Sequence, residues 1–320
     1  MQTLRNSKRH WVPLLALALI LSLAFALAAC GEEEADEPAE GETTVSAEEG
    51  DEAAVDKPAI RLGLIAWDEA IAVTYLWDHL LKEQGYDTEI VQLDAAPVYA
   101  GLAAGDLELY LDAWLPETHG DYWAEYGDSM EDLGIWYDQG LLTLAVPTYV
   151  DIDSIADLKG NGDMFGNRIV GIESGAGLMR ITRNDVMPGY GLEDEYDLIE
   201  GSTPAMLAEL ERATSNEEPV AVTLWHPHWA YSAYPIKDLE DPENLLGDPE
   251  ELHVVSRLGF PEDYPQVTEW LSTWEMDDAA LSSLTETVVM EYGQGKEAEG
   301  VEAWLEDPAN RELVDGWISG

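Results

Sequence analysis

Short apolar strands alternate with helical segments from residue 60 onward, and this alternation constrains the fold more than any other feature. Residues 60–65 are strand-forming, and the following segment, Asp68–Glu83, has apolar residues at helical spacing. A short helix is predicted around residues 98–104. Further strands are predicted at residues 88–93, 108–113, 141–146, 168–172, 219–224 and 253–257. Strands that alternate with helices form parallel βαβ units, so the sequence predicts an α/β protein with a mostly helical C-terminal part.

The alternation recurs in the second half of the chain, which predicts two α/β lobes of ordinary domain size. We assign the lobes as follows: lobe 1 is residues 58–147 together with 253–320, and lobe 2 is residues 148–252. The connecting segments are expected near residues 146–150 and 251–258. Ligands bind at the carboxyl ends of the strands in open α/β sheets, so we expect a ligand cleft between the lobes at those strand ends.

Residues 1–29 have the order of an export signal, with a basic region, an apolar run and small residues. The apolar run is long enough to span a membrane, but it ends directly before Cys30, the only cysteine of the chain. Residues 27–30 (Leu-Ala-Ala-Cys) resemble the bacterial lipobox. This resemblance implies that Cys30 becomes the lipidated first residue of a mature protein that is firmly attached to the membrane.

The charge of the chain is strongly negative, with a formal net value of -51 at pH 7. Residues 30–57 combine acidic residues with few large apolar ones, which predicts a flexible tether, with an acidic interaction tail as the alternative. A surface of this charge repels nucleic acid and anionic lipid headgroups, and this excludes both as partners. Because the acidic excess continues through the folded part, we also hypothesise a protein adapted to high salt, whose folding improves in molar salt.

Three tryptophans, Trp67, Trp114 and Trp225, stand at the ends of predicted strands. A single tryptophan in such a place is most often a core residue, but three at equivalent strand ends of both lobes are able to converge in one cleft. A quaternary ammonium group has no N–H to donate, and indole faces hold it through the ring quadrupole, at about 0.5–2 kcal/mol each. The pattern therefore predicts an aromatic cage for such a cation.

A second motif, residues 173–179 (Glu-Ser-Gly-Ala-Gly-Leu-Met), joins a predicted strand to a helix. Backbone N–H groups at the start of a helix bind anions, which makes Gly177 and Leu178 candidates for binding a ligand carboxylate. The alternative is an ordinary strand-to-helix turn. His119, five residues after Trp114, is a further candidate donor, with a surface or helix-start histidine as its alternative.

Other chemistries have weaker support in the sequence. His226 and His228 lie close together, but their spacing is not a standard zinc pattern and no cysteine completes it, so no metal or cofactor is predicted. The chain has no nucleophile elbow, phosphate-binding glycine loop or reactive cysteine. Asp68, Glu69 and Glu173 lie near the predicted cleft, but acidic residues are too common here for proximity to indicate catalysis. We predict that the protein is not an enzyme.

Four segments together resemble the glycine-betaine-binding proteins of ABC importers, the OpuAC type: residues 66–72, 113–119, 173–179 and 224–229. The resemblance implies a two-lobed, type II-like periplasmic-binding-protein fold with a ligand cleft between the lobes. It implies that Trp67, Trp114 and Trp225 form a prism around an ammonium group. It also implies that the carboxylate meets the backbone N–H groups of Gly177 and Leu178 and the side chain of His119. One departure is His226, where similar proteins often have a smaller polar residue.

The resemblance implies an extracytoplasmic solute-binding protein, lipid-anchored to the cell membrane or its periplasmic face. Its expected ligand is glycine betaine or proline betaine, taken up as an osmoprotectant. Its expected partner is the permease of an ABC transporter, and such proteins usually act as monomers. The alternatives are another quaternary amine such as choline or carnitine, or a ligand-sensing receptor. Choline lacks a carboxylate, so the features around Gly177 and His119 argue against it.

Overall fold

Residues 59–319 are described in this computed structural model. The predicted signal peptide of residues 1–29 and the predicted lipidated Cys30 with its tether, residues 30–57, lie outside the described residues. Each predicted strand and helix of the first half has its counterpart in the structure, with ends that differ by a few residues. The α/β prediction is therefore confirmed.

Strands form one curled sheet in the described part of the chain. Their order across the sheet is β2-β1-β3-β9-β4-β7-β5-β6, with β8 beside β4. Their bounds are β1 (Ile60–Leu64), β2 (Thr88–Gln92), β3 (Leu109–Leu115), β4 (Met130–Pro147), β5 (Arg168–Val170), β6 (Asp197–Ile199), β7 (Val222–His226), β8 (Ile236–Asp238) and β9 (Glu250–Arg257). β1 is parallel to β2 and β3, and β5 is parallel to β6 and β7, as the βαβ pattern predicts.

Helices connect the parallel strands and form the C-terminal part. Their bounds are α1 (Asp68–Glu83), α2 (Ala95–Ala104), α3 (Gly120–Tyr126), α4 (Gly177–Ile181), α5 (Met187–Tyr190), α6 (Thr203–Ser215), α7 (Ala230–Ala233), α8 (Phe260–Asp263), α9 (Pro265–Ser272), α10 (Asp278–Thr285), α11 (Glu297–Leu305) and α12 (Pro308–Ile318). A π-helical turn, Thr182–Val186, joins α4 to α5, so that a continuous helical stretch follows the turn after β5. Between residues 59 and 319, no helix has the length and apolar character needed to cross a membrane.

The long strand β4 connects the two halves of the sheet. From Met130 to Gly140 it pairs antiparallel with β9, and from Leu141 onward it pairs with β7 and then β8. The sequence pattern predicted only residues 141–146 as a strand. The first part of β4 was missed because its buried and exposed residues do not alternate regularly. The division into lobes stays a prediction, and the change of partner at Gly140 favours placing its first boundary before residue 147.

Aromatic packing fills the core beneath the C-terminal helices. The apolar stripe of α1, which includes Leu76 and Trp77, is fully buried. Trp77 lies edge-on to Trp274, with ring centroids 5.4 Å apart, and Trp274 stacks on Trp136 at 4.5 Å. Aromatic side chains of this size bury a large apolar area, so this cluster fixes α1 against the sheet. The residue that precedes α1, Trp67, is thereby held at the carboxyl end of β1.

Candidate functional site

A small cavity lies where the carboxyl ends of β1, β3, β5 and β7 meet. Trp67, Trp114 and Trp225 all line it, and none of them is more than 5% exposed. Gly177 and Leu178, at the start of α4, line it as well. The remaining lining residues are Glu69, Thr118, Leu142, Ile172 and Ala176. The structure thus brings together five of the six ligand-site residues expected from the sequence, in a wall that is mainly apolar and aromatic.

Each indole N–H of the three cavity tryptophans donates to a carboxylate. The pairs are Trp67 with Glu173 (3.4 Å), Trp114 with Asp112 (3.2 Å) and Trp225 with Glu69 (2.8 Å). An indole has one donor and no acceptor, so these carboxylates satisfy it and fix the orientation of the ring. Asp68, outside the cavity wall, accepts the indole N–H of Trp229 in the same way. The three acids that the sequence analysis considered for catalysis therefore accept hydrogen bonds from tryptophan side chains: Asp68, Glu69 and Glu173.

Burial alters the protonation of the acids around the cavity. It raises the pKa of Glu69 to about 8 and the pKa of Asp68 to about 6. The pKa of Asp112 is raised well above its usual range, first by burial and then by the negative charge of Glu69. Desolvation disfavours the charged form of a carboxyl group, and a second carboxylate adds to the effect. Because the pKa values of these acids are raised, a charged ligand in the cavity would change how many of them are ionised.

Part of the cavity wall is formed by the first turn of α4. The N–H groups of Met179 and Arg180 donate to the carbonyl of Ala176. Gly177 and Leu178 precede them, and the first N–H groups of a helix have no acceptor within it. Because the helix dipole adds a positive potential here, this part of the cavity wall suits an anionic group.

Gly177 lies against the backbone of the loop that follows β3. A Cβ built on Gly177 would lie 2.0 Å from the carbonyl oxygen of Thr118. No flexible side chain is able to move aside here, because the neighbouring atom belongs to the backbone. Only glycine therefore permits the turn after β5 to approach the turn after β3 so closely.

Three polar contacts join the same two regions of the chain. The hydroxyl of Tyr122 donates to the carbonyl of Gly175 at 2.9 Å. The guanidinium of Arg180 donates to the carbonyl of Glu117 at 2.9 Å and pairs with Asp121 at 3.2 Å. These contacts hold residues 117–122 against the turn after β5 and the start of α4.

His119 is fully buried next to the cavity tryptophans, but it is not among the residues that line the cavity. Its ring stacks on Trp67 with centroids 5.4 Å apart, and its Nδ1 accepts the backbone N–H of Trp114 at 3.0 Å. The ring proton therefore lies on Nε2, which has no protein partner within residues 59–319. Burial lowers the pKa of His119 to about 3, so the ring is neutral near pH 7 and offers one N–H donor.

Glu250, at the start of β9, is a supporting residue that sequence reasoning missed. Its carboxylate accepts the backbone N–H groups of Glu117 (2.7 Å) and Thr118 (2.8 Å) and also the Thr118 hydroxyl. It is 4% exposed. Glu250 thus fixes the loop that carries Thr118 into the cavity wall. No local pattern indicates this role, because the partners lie 132 positions apart in the chain.

We expect Glu250→Ala to lower the free energy of unfolding by about 2–4 kcal/mol, because three donors in this loop lose their acceptor and two of them are buried. Urea unfolding followed by circular dichroism measures the change. The matched control is Glu251→Ala, since the side chain of Glu251 is about half exposed and pairs only with His253. An equal loss of stability in the two variants would contradict the role given to Glu250.

His226, the last residue of β7, and His228 contact different partners. The Nε2 atom of His226 lies 2.7 Å from Asp238, and its ring stacks on Tyr231. His228 is buried edge-on to Trp225, with ring centroids 4.7 Å apart. In residues 59–319 no group of three or more His, Cys, Asp or Glu side chains is arranged to hold a metal ion.

An α/β fold with an aromatic cavity at its strand ends is typical of a solute-binding protein. Residues 58–307 match the family described as the substrate-binding domain of the ABC-type glycine betaine transport system. The chain belongs to this family, which is a family of transport proteins rather than enzymes. The family resemblance inferred from the four sequence motifs is confirmed.

Individual relatives agree with this assignment. The glycine betaine/carnitine transport binding protein GbuC of Listeria monocytogenes is 31% identical over 185 residues, which are 56% of this chain and 58% of that protein. The structure of a glycine betaine, L-proline ABC transporter binding protein (ProX) from Borrelia burgdorferi is similar with a TM-score of 0.76 and 32% identity. It covers 82% of this chain and 97% of that one. Lactococcal OpuAC in its closed form with glycine betaine gives a TM-score of 0.74 and 27% identity, over 82% of this chain and 100% of that one.

Proposed function

We propose that this protein captures glycine betaine outside the cytoplasm and delivers it to the permease of an ABC importer. The observation that carries the proposal is the single cavity lined by Trp67, Trp114 and Trp225 together with the first backbone groups of α4. A betaine has a trimethylammonium group at one end, which suits the tryptophan faces, and a carboxylate at the other, which suits the N–H groups at the start of α4. The relatives, which include a glycine betaine/carnitine transport binding protein and a structure in complex with glycine betaine, support the same ligand.

The tryptophans would bind the ammonium group through their ring quadrupoles. Each desolvated ring contributes about 0.5–2 kcal/mol. Together with the contacts to the carboxylate, this is of the size needed for micromolar affinity, which corresponds to about -8 kcal/mol. Proline betaine fits the same two-ended description, and carnitine and choline remain the alternatives within the same class of ligand.

The carboxylate would accept the N–H groups of Gly177 and Leu178 and the Nε2 proton of His119. The unpartnered Nε2 and the neutral state of His119 support this role. We propose, in addition, that His119 supports the cage through its stacking on Trp67.

His119→Phe keeps a ring against Trp67 but removes the Nε2 donor, and it also removes the Nδ1 acceptor of the Trp114 N–H. The loss of the donor should weaken glycine betaine binding about 10-fold, the equivalent of one lost charge-assisted hydrogen bond. Choline has no carboxylate, so its affinity is the control: it reports the loss of the Trp114 contact alone and should fall clearly less. Equal losses for the two ligands in calorimetric titrations would contradict the carboxylate contact.

The position in the cell is part of the proposal. A substrate-binding protein of an importer works on the extracytoplasmic side, and we propose that lipidated Cys30 attaches this one to the membrane, with residues 30–57 as the tether. Cys30→Ser should move the exported protein from the membrane fraction to the soluble fraction, because a lipid chain contributes about 0.8 kcal/mol per buried CH₂ group. Fractionation followed by immunoblotting measures this. Retention of the variant in the membrane would contradict the lipid anchor.

Import is distinguished from ligand sensing by a transport assay. The protein is added to vesicles that contain the candidate permease, and uptake of labelled glycine betaine is measured with and without ATP. We expect uptake that requires both the protein and ATP. Binding without uptake would favour the receptor alternative.

A further inference from the structure

Among the described residues that line the cavity, Glu69 is the one with an acidic side chain. It lies in the first turn of α1, two residues after Trp67, and is 2% exposed. Its Oε2 accepts the indole N–H of Trp225 at 2.8 Å. Its carboxyl group is therefore held in the wall between two of the rings that would surround an ammonium group.

A second buried acid lies close to Glu69. Asp112 is fully buried on β3, and its Oδ1 accepts the indole N–H of Trp114 at 3.2 Å. Its Oδ2 has no hydrogen-bond partner within the described residues. Among residues 59–319, neither carboxyl group forms an ion pair with a lysine or arginine; the ion pairs of the described chain lie elsewhere. Two buried acids without a cation cannot both ionise at low cost.

The other ionisable groups around this pair do not supply a positive charge. Asp68 on α1, Tyr110 on β3 and Glu173 after β5 are neutral or negative in every protonation state. His119 after β3 and His228 after β7 are buried, and burial lowers the pKa of each to about 3. Near neutral pH none of the described residues that line the cavity is therefore a cation, and burial raises the pKa of Glu69 to about 8.

We propose that Glu69 is the counter-charge of the cage, which gives up its proton to solvent when a quaternary ammonium ligand enters. This inference rests on the proposed function, because it concerns the same cavity and the same class of ligand. The step is a simple proton release: the O–H bond of the Glu69 carboxyl group breaks, the electron pair stays on the carboxylate, and the proton goes to water. The ammonium group supplies the missing positive charge, and the N–H of Trp225 stabilises the new carboxylate.

The sign of the pH dependence follows from this linkage. The ligand favours the ionised form of Glu69, so binding is tightest above pH 8 and weakens as the pH falls. The affinity drops by up to about tenfold per pH unit until the pH reaches the pKa of Glu69 in the complex. The carboxyl group of the ligand titrates far below this range and takes no part. Asp68, with a pKa raised to about 6, acts at lower pH. The window from pH 7 to 9 therefore reports the neighbouring acids Glu69 and Asp112, and the Glu69→Gln variant identifies which of them releases the proton.

The experiment is calorimetric titration of the purified protein with glycine betaine, at pH 7 and at pH 9, in buffers of different ionisation enthalpy. We expect close to one proton released per ligand at pH 7 and clearly less at pH 9. Glu69→Gln keeps an acceptor for Trp225, so it should fold, as thermal unfolding checks. It should release no proton and bind equally at both pH values. Asp68→Asn should keep the proton release at pH 7.

An isostere that keeps the carboxylate but lacks the ammonium charge gives a control on the ligand side. In 3,3-dimethylbutanoate a carbon replaces the ammonium nitrogen, so this probe should bind more weakly and release no proton. Betaine binding to the wild type without proton release would overturn the inference and leave the proposed function standing. Equal proton release by wild type and Glu69→Gln would overturn it as well, because another group would then be the source. Absence of any betaine binding would overturn the proposed function and with it this inference.

Discussion

Gly177→Ala should weaken glycine betaine binding about 10- to 100-fold. The added methyl group would lie 2.0 Å from the carbonyl oxygen of Thr118, so the turn after β5 and the turn after β3 would have to move apart. Overpacking against the backbone costs roughly 1–3 kcal/mol, and each 1.4 kcal/mol is a factor of ten in affinity. The shift would also displace the N–H groups proposed for the carboxylate. Calorimetric titration measures the loss.

The control for this substitution is two residues away. A Cβ on Gly175 would meet only the hydroxyl of Tyr122, at 3.8 Å, which is an ordinary contact. Gly175→Ala should therefore bind betaine with nearly the affinity of the wild type. If Gly177→Ala also bound like the wild type, the close approach of the two turns would not be needed for binding, and the carboxylate half of the site would be misplaced.

Removal of one cage ring should have the second large effect. Trp225→Leu keeps an apolar side chain but removes the ring face and the indole donor, and we expect an affinity about 30-fold lower, or about 2 kcal/mol. Trp225→Phe keeps a ring face and should lose less. Titration calorimetry with both variants gives the ranking, because a quaternary ammonium group is attracted to the ring quadrupole and not to an aliphatic surface.

The ligand isostere and a distant tryptophan are the controls for this ranking. The probe 3,3-dimethylbutanoate should respond similarly to the Phe and Leu variants, since its tert-butyl group has no positive charge for a ring to attract. Trp123→Leu, in α3 and outside the cavity wall, should leave betaine binding nearly unchanged. Identical betaine affinity in Trp225→Phe and Trp225→Leu would argue against cation–π binding and favour simple packing.

The sequence was sufficient to predict the α/β fold and the convergence of the tryptophans. Trp67, Trp114 and Trp225 each follow a short apolar strand, and parallel strands bring their carboxyl ends to one edge of a sheet. The same reasoning predicted Gly177 and Leu178, because the start of a helix after a strand is visible locally. These features could be predicted because each is determined by the sequence within a few residues of its position.

Features that depend on distant pairing were not predictable from the sequence. The first part of β4 pairs with β9 without a regular apolar alternation, so its length was missed. The contact of Glu250 with the loop around Thr118 joins residues 132 positions apart. The role of Glu69 was hidden for a different reason: the chain has 66 Asp and Glu residues, so one acid near a cleft carries little information until its burial is known.

Calorimetric titration of the purified protein with glycine betaine tests the central claim most directly. It is done in low and in molar salt, with choline as the comparison, because the acidic composition predicts better folding at high salt. We predict micromolar binding of glycine betaine, about -8 kcal/mol, and weaker binding of choline, which lacks the carboxylate. A folded protein that binds no glycine betaine in either salt would contradict the account.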